Sequence, residues 1–318
     1  MIRKLLLTFI GAAAIAAPAQ AQTQTFPNKP MRLVIGYGAG GITDILNRIL
    51  AEEMSKKFGQ PVVVENRTGA AGLIAAQSVK SAAPDGHTLI GGSASTWHPV
   101  FVQQGLVATK DFAPVASFAA GDWMIYAPFN TNVKTIKEFV AYAKGKSANK
   151  PRHMSVGGLN HMLLSLVGKG VGMDFEEIRY KTSAEAVAAI LSGDGDITIN
   201  SIAGFEGFMN GNQLRPIATL SAQRSVFKPE VPTVMEQGVN FELRFYQNVF
   251  TTLGTPRDAI LKLNAAVQEA TTNPAVVQRL RNASLVPAYS SPEDLVKMFD
   301  AEVKAYGEAA AMTGFKPI

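Results

Sequence analysis

The chain contains no cysteine. That excludes disulfides, thiolate metal sites, a cysteine nucleophile and a lipid anchor on an N-terminal cysteine. Histidine is nearly as scarce. His87, His98, His153 and His161 fall at no H-E-x-x-H or other metal-ligand spacing, so no metal or other cofactor is expected. The basic residues form no run and are not interleaved with aromatics, which gives nucleic acid little to bind. After the first 21 residues no stretch is long and apolar enough to span a bilayer. A closing glycine is missing from "GGSAS" around Ser93, so a serine nucleophile elbow is not formed there.

What the chain does have begins with its leader. Arg3 and Lys4 precede an apolar run over residues 5–17, and Ala19-Gln20-Ala21 offers a small-x-small site. This pattern predicts a secretory signal peptide over 1–21, cleaved after Ala21, and hence an exported, periplasmic protein. The 318 residues carry a net charge of +5, and removing Arg3 and Lys4 leaves +3. A mild positive balance suits an anionic small molecule. With 47% hydrophobic residues and no disulfides, the mature chain must be held by its core, most simply as two lobes.

Strand-like and helix-like segments alternate. Strands are predicted at 31–35, 62–65, 88–90, 123–127, 197–200 and 217–220. Helices are predicted at 44–58, 71–82, 135–144, 163–172, 184–192, 257–271, 274–282 and 292–313. The alternation argues for α/β sheets flanked by helices. The strand-poor end should pack back on the first sheet. Lobe 1 is therefore expected over 22–122 and 246–318, with lobe 2 inserted over 123–245, and chain crossings near 121–126 and 241–246.

The stretch "VIGYGAGGITD" carries G-x-G-x-x-G at Gly36, Gly38 and Gly41, between a β-branched run and a helical pattern. Glu65 stands where a dinucleotide fold places its ribose-binding acid. The physics is less particular than the fingerprint. Glycines before a helix leave amide donors open beside a positive dipole end, and any anion fits: pyrophosphate, phosphate or carboxylate. A tight structural turn is the plainer alternative. Asp44 reads as serving the helix's first turn, Glu65 and Arg67 as making local contacts, and His87 as an exposed turn residue. Further polar loops lie at 66–72, 91–96, 156–161 and 180–186, where strands meet helices. His161 in the third is a candidate donor to a carboxylate, and Trp97, Trp123, Tyr37, Phe245 and Tyr246 are candidate ligand walls.

The spaced set "YGAGGITDILNR", "VVVENRTGAAG", "AAPDGHTL", "YKTSAEAVAAILSGDGDI" and "VPTVMEQG" resembles the Bug, or TctC-type, solute-binding receptors of tripartite tricarboxylate transporters. The resemblance implies a two-lobed periplasmic binding protein, type II-like, that closes over a small organic anion, a carboxylate or dicarboxylate; Trp97, Trp123 and Tyr246 suggest an aromatic one. Such a receptor catalyses nothing, needs no cofactor, works as a monomer and delivers its ligand to integral membrane subunits. The implied contacts are Tyr37, Ala39, Gly40, Gly41, Thr43, Ala70, Ser95 and Thr96 from lobe 1. From lobe 2 they are Gly158, His161, Thr182, Ser183, Ala184 and Asn200. Thr182 stands where the family has glycine, and Ile42 where it often has a small residue. An exported α/β hydrolase using Ser93 or Ser95, and a ligand-sensing partner of a signalling protein, remain as alternatives.

Overall fold

The computed structural model describes residues 26–93, 106–146, 150–156 and 158–313. The predicted leader, Ser95, Thr96 and Trp97 lie outside them. Three apolar strands, β1 (Met31–Ile35), β2 (Val62–Asn66) and β3 (Thr88–Gly92), pair in parallel with β1 in the middle. Helices α1 (Ile42–Phe58) and α2 (Leu73–Lys80) make their crossovers. Beyond β3 the sheet turns antiparallel, giving the order β10-β4-β9-β3-β1-β2 with β4 (Phe112–Pro128), β9 (Arg244–Thr252) and the short β10 (Val286–Pro287).

β4 organises the molecule. Its first eleven residues, to Asp122, pair with β9; from Trp123 onward it pairs with β7 (Thr198–Ser201) and β8 (Leu214–Thr219), both antiparallel. β5 (Arg152–Ser155) and β6 (Glu176–Arg179) pair in parallel and bridge to β7 at His153↔Ile197. One strand thus belongs to two sheets. The sequence pattern showed only its second half. Pro114, Gly121 and four alanines give the first half little β-propensity, and register shifts at 114/116 and 117/119 break the alternation.

The remaining helices are α3 (Ala108–Asp111), α4 (Ile136–Gly145), α5 (Gly158–Gly170), α6 (Ser183–Leu191), α7 (Ile202–Asn210), α8 (Arg257–Thr272), α9 (Pro274–Asn282) and α10 (Pro292–Thr313). α5 starts five residues earlier than expected, so His161 lies in a helix's first turn rather than in a loop. α7 escaped notice because Gly204 and Gly207 depress its propensity. α10 serves two cores. Its Leu295 and Phe299 pack with Val34, Phe112 and Phe250, whereas Tyr306 packs with Ile125, Leu164 and Ile199. Trp123 likewise touches the apolar clusters on both sides.

Register fixes where the strands point. β3 ends at Gly92 opposite Asn248, and β7 ends at Ser201 opposite Trp123. The carboxyl ends of β1–β3 therefore face the place where β4 passes between sheets, and those of β5–β7 face it from the other side. In open α/β sheets that end is where ligands are held.

Candidate functional site

The turn after β1 is shaped by its glycines for separate reasons. A Cβ on Gly36 would sit 2.5 Å from Gly72 Cα, so the β1–α1 and β2–α2 turns meet backbone to backbone. Gly40 has φ +83°, a conformation costly for other residues. Gly41, the N-cap of α1, has neither constraint: φ is −74°, ψ is 163°, and an added Cβ would meet only Gly38 O at 3.6 Å.

Asp44 ties this turn together. It is 3% exposed. It accepts the Gly40 N–H at 2.9 Å, the Asn66 amide at 2.9 Å, and Arg48 Nε at 3.0 Å from each oxygen. Arg48 also donates to Asn66 Oδ1, and Asn66 donates to Tyr37 O. The Arg48 hydrogen bond leads the effects that hold the Asp44 carboxyl at about 2, well below its ordinary value, so it is ionised. Asp44 thus serves the helix start, as expected. The Gly40 N–H is already engaged by it.

The second turn adds strain. Gly69 and Gly72 have φ +125° and +96°, and Ala70, a non-glycine, has φ +43°. A residue with a side chain in that region costs on the order of 1–3 kcal/mol and is retained where surrounding structure imposes it. Gly72 is the N-cap of α2 and, like Gly41, offers no side-chain cap. Glu65 binds Arg67 and Arg32, and the Arg67 hydrogen bond leads in holding its carboxyl below the usual range. These are the local contacts expected of them. Thr43 is buried, while Ala39 and Ala70 are exposed beside the two glycine starts.

The facing turns of the second sheet are built differently. Thr182 caps α6 by accepting from the Glu185 amide at 3.2 Å, and Glu185 reaches back to the Thr182 and Lys181 amides. Asn200 donates to Ser183 Oγ at 3.4 Å and accepts from the Ser201 amide, and Ser201 caps α7. Ala184 is exposed next to the cap. His161, three residues after Gly158 opens α5, stacks on His153 with ring centroids 5.7 Å apart. Its Nδ1 lies 3.4 Å from His153 Nδ1 and its Nε2 3.4 Å from Ser165 Oγ. Burial pushes the His153 imidazole down to about 3, and burial likewise lowers that of His161. Both rings are neutral near pH 7.

Three features went unseen in the sequence. His87 is 7% exposed, not a surface residue, because Phe26 packs edge-on against it at 4.9 Å. Trp123 and Phe245 pack against each other at 5.6 Å, whereas half-buried Tyr246 faces a separate cavity of about 590 Å³. That cavity is lined by Asp122, Ser221, Arg244, Glu302 and α10 residues, and includes none of the expected ligand loops. Ser93 is 2% exposed. Among the described residues no group of three or more His, Asp or Glu side chains suits a metal ion, and no helix is long and apolar enough to cross a membrane.

The model of the tripartite tricarboxylate transporter family receptor, TctC, matches residues 46–314 of the chain. The chain belongs to the TctC family. A UPF0065 protein encoded in the gbd 5' region of Cupriavidus necator is 32% identical over 309 residues, covering 93% of this chain and 94% of that one. Among solved structures, R. palustris Rpa4515 with adipate superposes with a TM-score of 0.79 at 26% identity, covering 92% of this chain and 100% of that one. MatC of Rhodopseudomonas palustris with bound malate gives 0.73 at 27%, covering 89% and 99%. The fold is accordingly that of a two-lobed periplasmic binding protein. TctC receptors are periplasmic solute-binding proteins, and the family is not one of enzymes.

Proposed function

We propose that this TctC receptor captures a small organic anion by its carboxylate, with no catalytic step, and presents it to the membrane subunits of a tripartite tricarboxylate transporter. The observation that carries this is the pair of helix starts, α1 and α2, that lack any side-chain cap, meet at Gly36–Gly72 and face the crossing. Open amides at two helix N-termini attract an anion. Lobe 1 is assigned residues 22–122 and 246–318, and lobe 2 residues 123–245, with the second half of α10 packed on lobe 2 as a strap across the crossing. Ligand contacts are assigned to Tyr37, Ala39, Gly41, Thr43 and Ala70 from lobe 1. Ser183, Ala184, Asn200 and neutral His161 close over them from lobe 2, beside Gly158 and Thr182, with Ser95 and Thr96 completing the lobe-1 set. The leader is removed after Ala21, and the mature receptor acts as a monomer.

Adipate and malate in the two relatives support an aliphatic carboxylate or dicarboxylate of about that size. Of the described aromatics that suggested a flat ligand, Trp123 engages Phe245 and Tyr246 faces the separate cavity. Burial of Ser93 speaks against hydrolysis at that residue. The test is a thermal-shift screen of four- to eight-carbon mono- and dicarboxylates alongside nicotinamide cofactors. A raised melting temperature with at least one acid is expected. Stabilisation by the cofactors alone would overturn the proposal.

A further inference from the structure

β4 and β9 pair directly only as far as Asp122 and Arg244. Past that rung the two chains part, and the end of β8 lies between them. The Leu220 amide donates to Trp123 O at 2.9 Å, and the Leu243 amide donates to Leu220 O at 2.8 Å. This fork is where the ladder of the first sheet gives way to the second. Its two faces differ, because side chains alternate along a strand. On one face Trp123 packs against Phe245, and a Cβ on Gly121 would lie 2.3 Å from Phe245 Cζ and 2.5 Å from Leu285 Cδ2. That face is full. On the other, Asp122, Arg244 and Tyr246 border the cavity of about 590 Å³, which Met298, Ala301 and Ala305 of α10 also line.

Asp122 is 2% exposed, and a buried carboxylate is costly unless it is paired. Its Oδ1 meets one partner from each side of the fork. Arg244 Nε, 2.9 Å away, belongs to the last rung of the first sheet; Ser221 Oγ, which donates at 2.7 Å, belongs to the chain leaving β8. Ser221 Oγ also lies 3.2 Å from Thr219 Oγ1, which donates to Trp123 O. α10 passes over the same place, with Phe299 in the core on one side and Tyr306 in the core on the other. We propose that Asp122 is a positioning residue for lobe closure: its carboxylate ties the prongs of the fork and sets the angle between the lobes. The cavity under α10 is the room into which the fork moves when that angle changes. The opposite face is close-packed and cannot yield without steric overlap, so the motion is confined to the hollow one. This rests on the two-lobed fold and not on which anion is held.

The test needs no ligand. The chain has no cysteine, so exposed Lys144→Cys in α4 and Lys262→Cys in α8 take one spin label each. Pulsed electron resonance then reads the distance between a helix on the second sheet and a helix on the first. Ser221→Ala, which leaves Asp122 and Arg244 paired, should broaden that distance distribution about twofold, as angles held by the tie become populated. Asp122→Ala removes both partners' anchor and should broaden it at least as much. Ser225→Ala, at a buried hydroxyl away from the fork, is the control and should match the parent. Ala301→Trp fills the cavity from an exposed position on α10 and should narrow the distribution. Parent widths in both Ser221→Ala and Asp122→Ala, with only urea stability lowered, would make the tie a packing contact and overturn the proposal. An unchanged distribution in Ala301→Trp would overturn the role given to the cavity. Neither failure bears on carboxylate capture, which the thermal-shift screen tests separately.

Discussion

Helices α1 and α6 both open toward the crossing between the sheets, and both carry an acidic residue three positions after the N-cap. They differ in the N-cap itself, Gly41 against Thr182. The threonine turns the start of α6 into a closed hydrogen-bonded unit, whereas the glycine leaves α1 with donors that need an outside acceptor. α2 also opens on a glycine without a side-chain cap, Gly72, but at φ +96° and after a 3-10 turn over Ala70–Gly72 whose Ala70 carbonyl takes the Leu73 amide. α8 also lacks a side-chain cap, after Pro256, but it follows the carboxyl end of β9 and so begins at the far end of the sheet. The uncapped glycine starts, Gly41 and Gly72, follow the parallel strands β1 and β2, whereas Thr182 and Ser201 cap the starts that follow β6 and β7. On the proposed function, the first lobe binds with its backbone, and the second encloses with the side-chain-capped starts of α6 and α7.

Four changes would break or sharpen that contrast. The largest effect is expected from Gly36→Val, which drives a side chain into Gly72 Cα and separates the two glycine turns. A loss of about 3 kcal/mol in urea unfolding, together with loss of carboxylate binding, is the expected outcome. Asp44→Ala comes next. It removes the acceptor of the Gly40 and Asn66 donors while half-exposed Arg48 regains water, for a loss of about 2 kcal/mol and a weakened affinity.

Thr182→Ala should cost about 1 kcal/mol by removing the α6 cap, yet leave affinity within about threefold by calorimetric titration. A large affinity loss there would erase the distinction between the lobes. A pH effect of similar size follows from Asp44. Its folded-state value of about 2 lies below the ordinary 3.8. Its contribution is therefore complete above pH 4 and is lost as pH falls through about 2. Comparing wild type with Asp44→Asn at pH 6 and pH 3 should show about 1 kcal/mol of the difference gone at the lower pH.

The parts of this site that were legible in sequence were those written in residue type. Glycines between a β-branched run and an amphipathic pattern announced the α1 turn, and "YKTSAE" announced a capped helix. Glu65 and Arg67 were legible as structural partners because charge neighbours on adjacent short-range positions find each other locally. What could not be read was non-local. The continuity of β4 depends on pairing with β9, more than 100 residues away, and its alanines and bulges hide the strand period. His161 looked like a loop residue because Gly158 resembles a breaker, yet α5 begins on it. That the Gly40 amide is taken by Asp44 while Gly41 is sterically free is a matter of φ and distance, which no spacing encodes.

The most direct measurement is a crystal structure of the mature protein with its carboxylate bound. Carboxylate oxygens about 3 Å from the amides at the start of α1, the Asp44 amide among them, are the predicted result. A carboxylate seated at the Thr182 start of α6, with the α1 amides left to water, would contradict it.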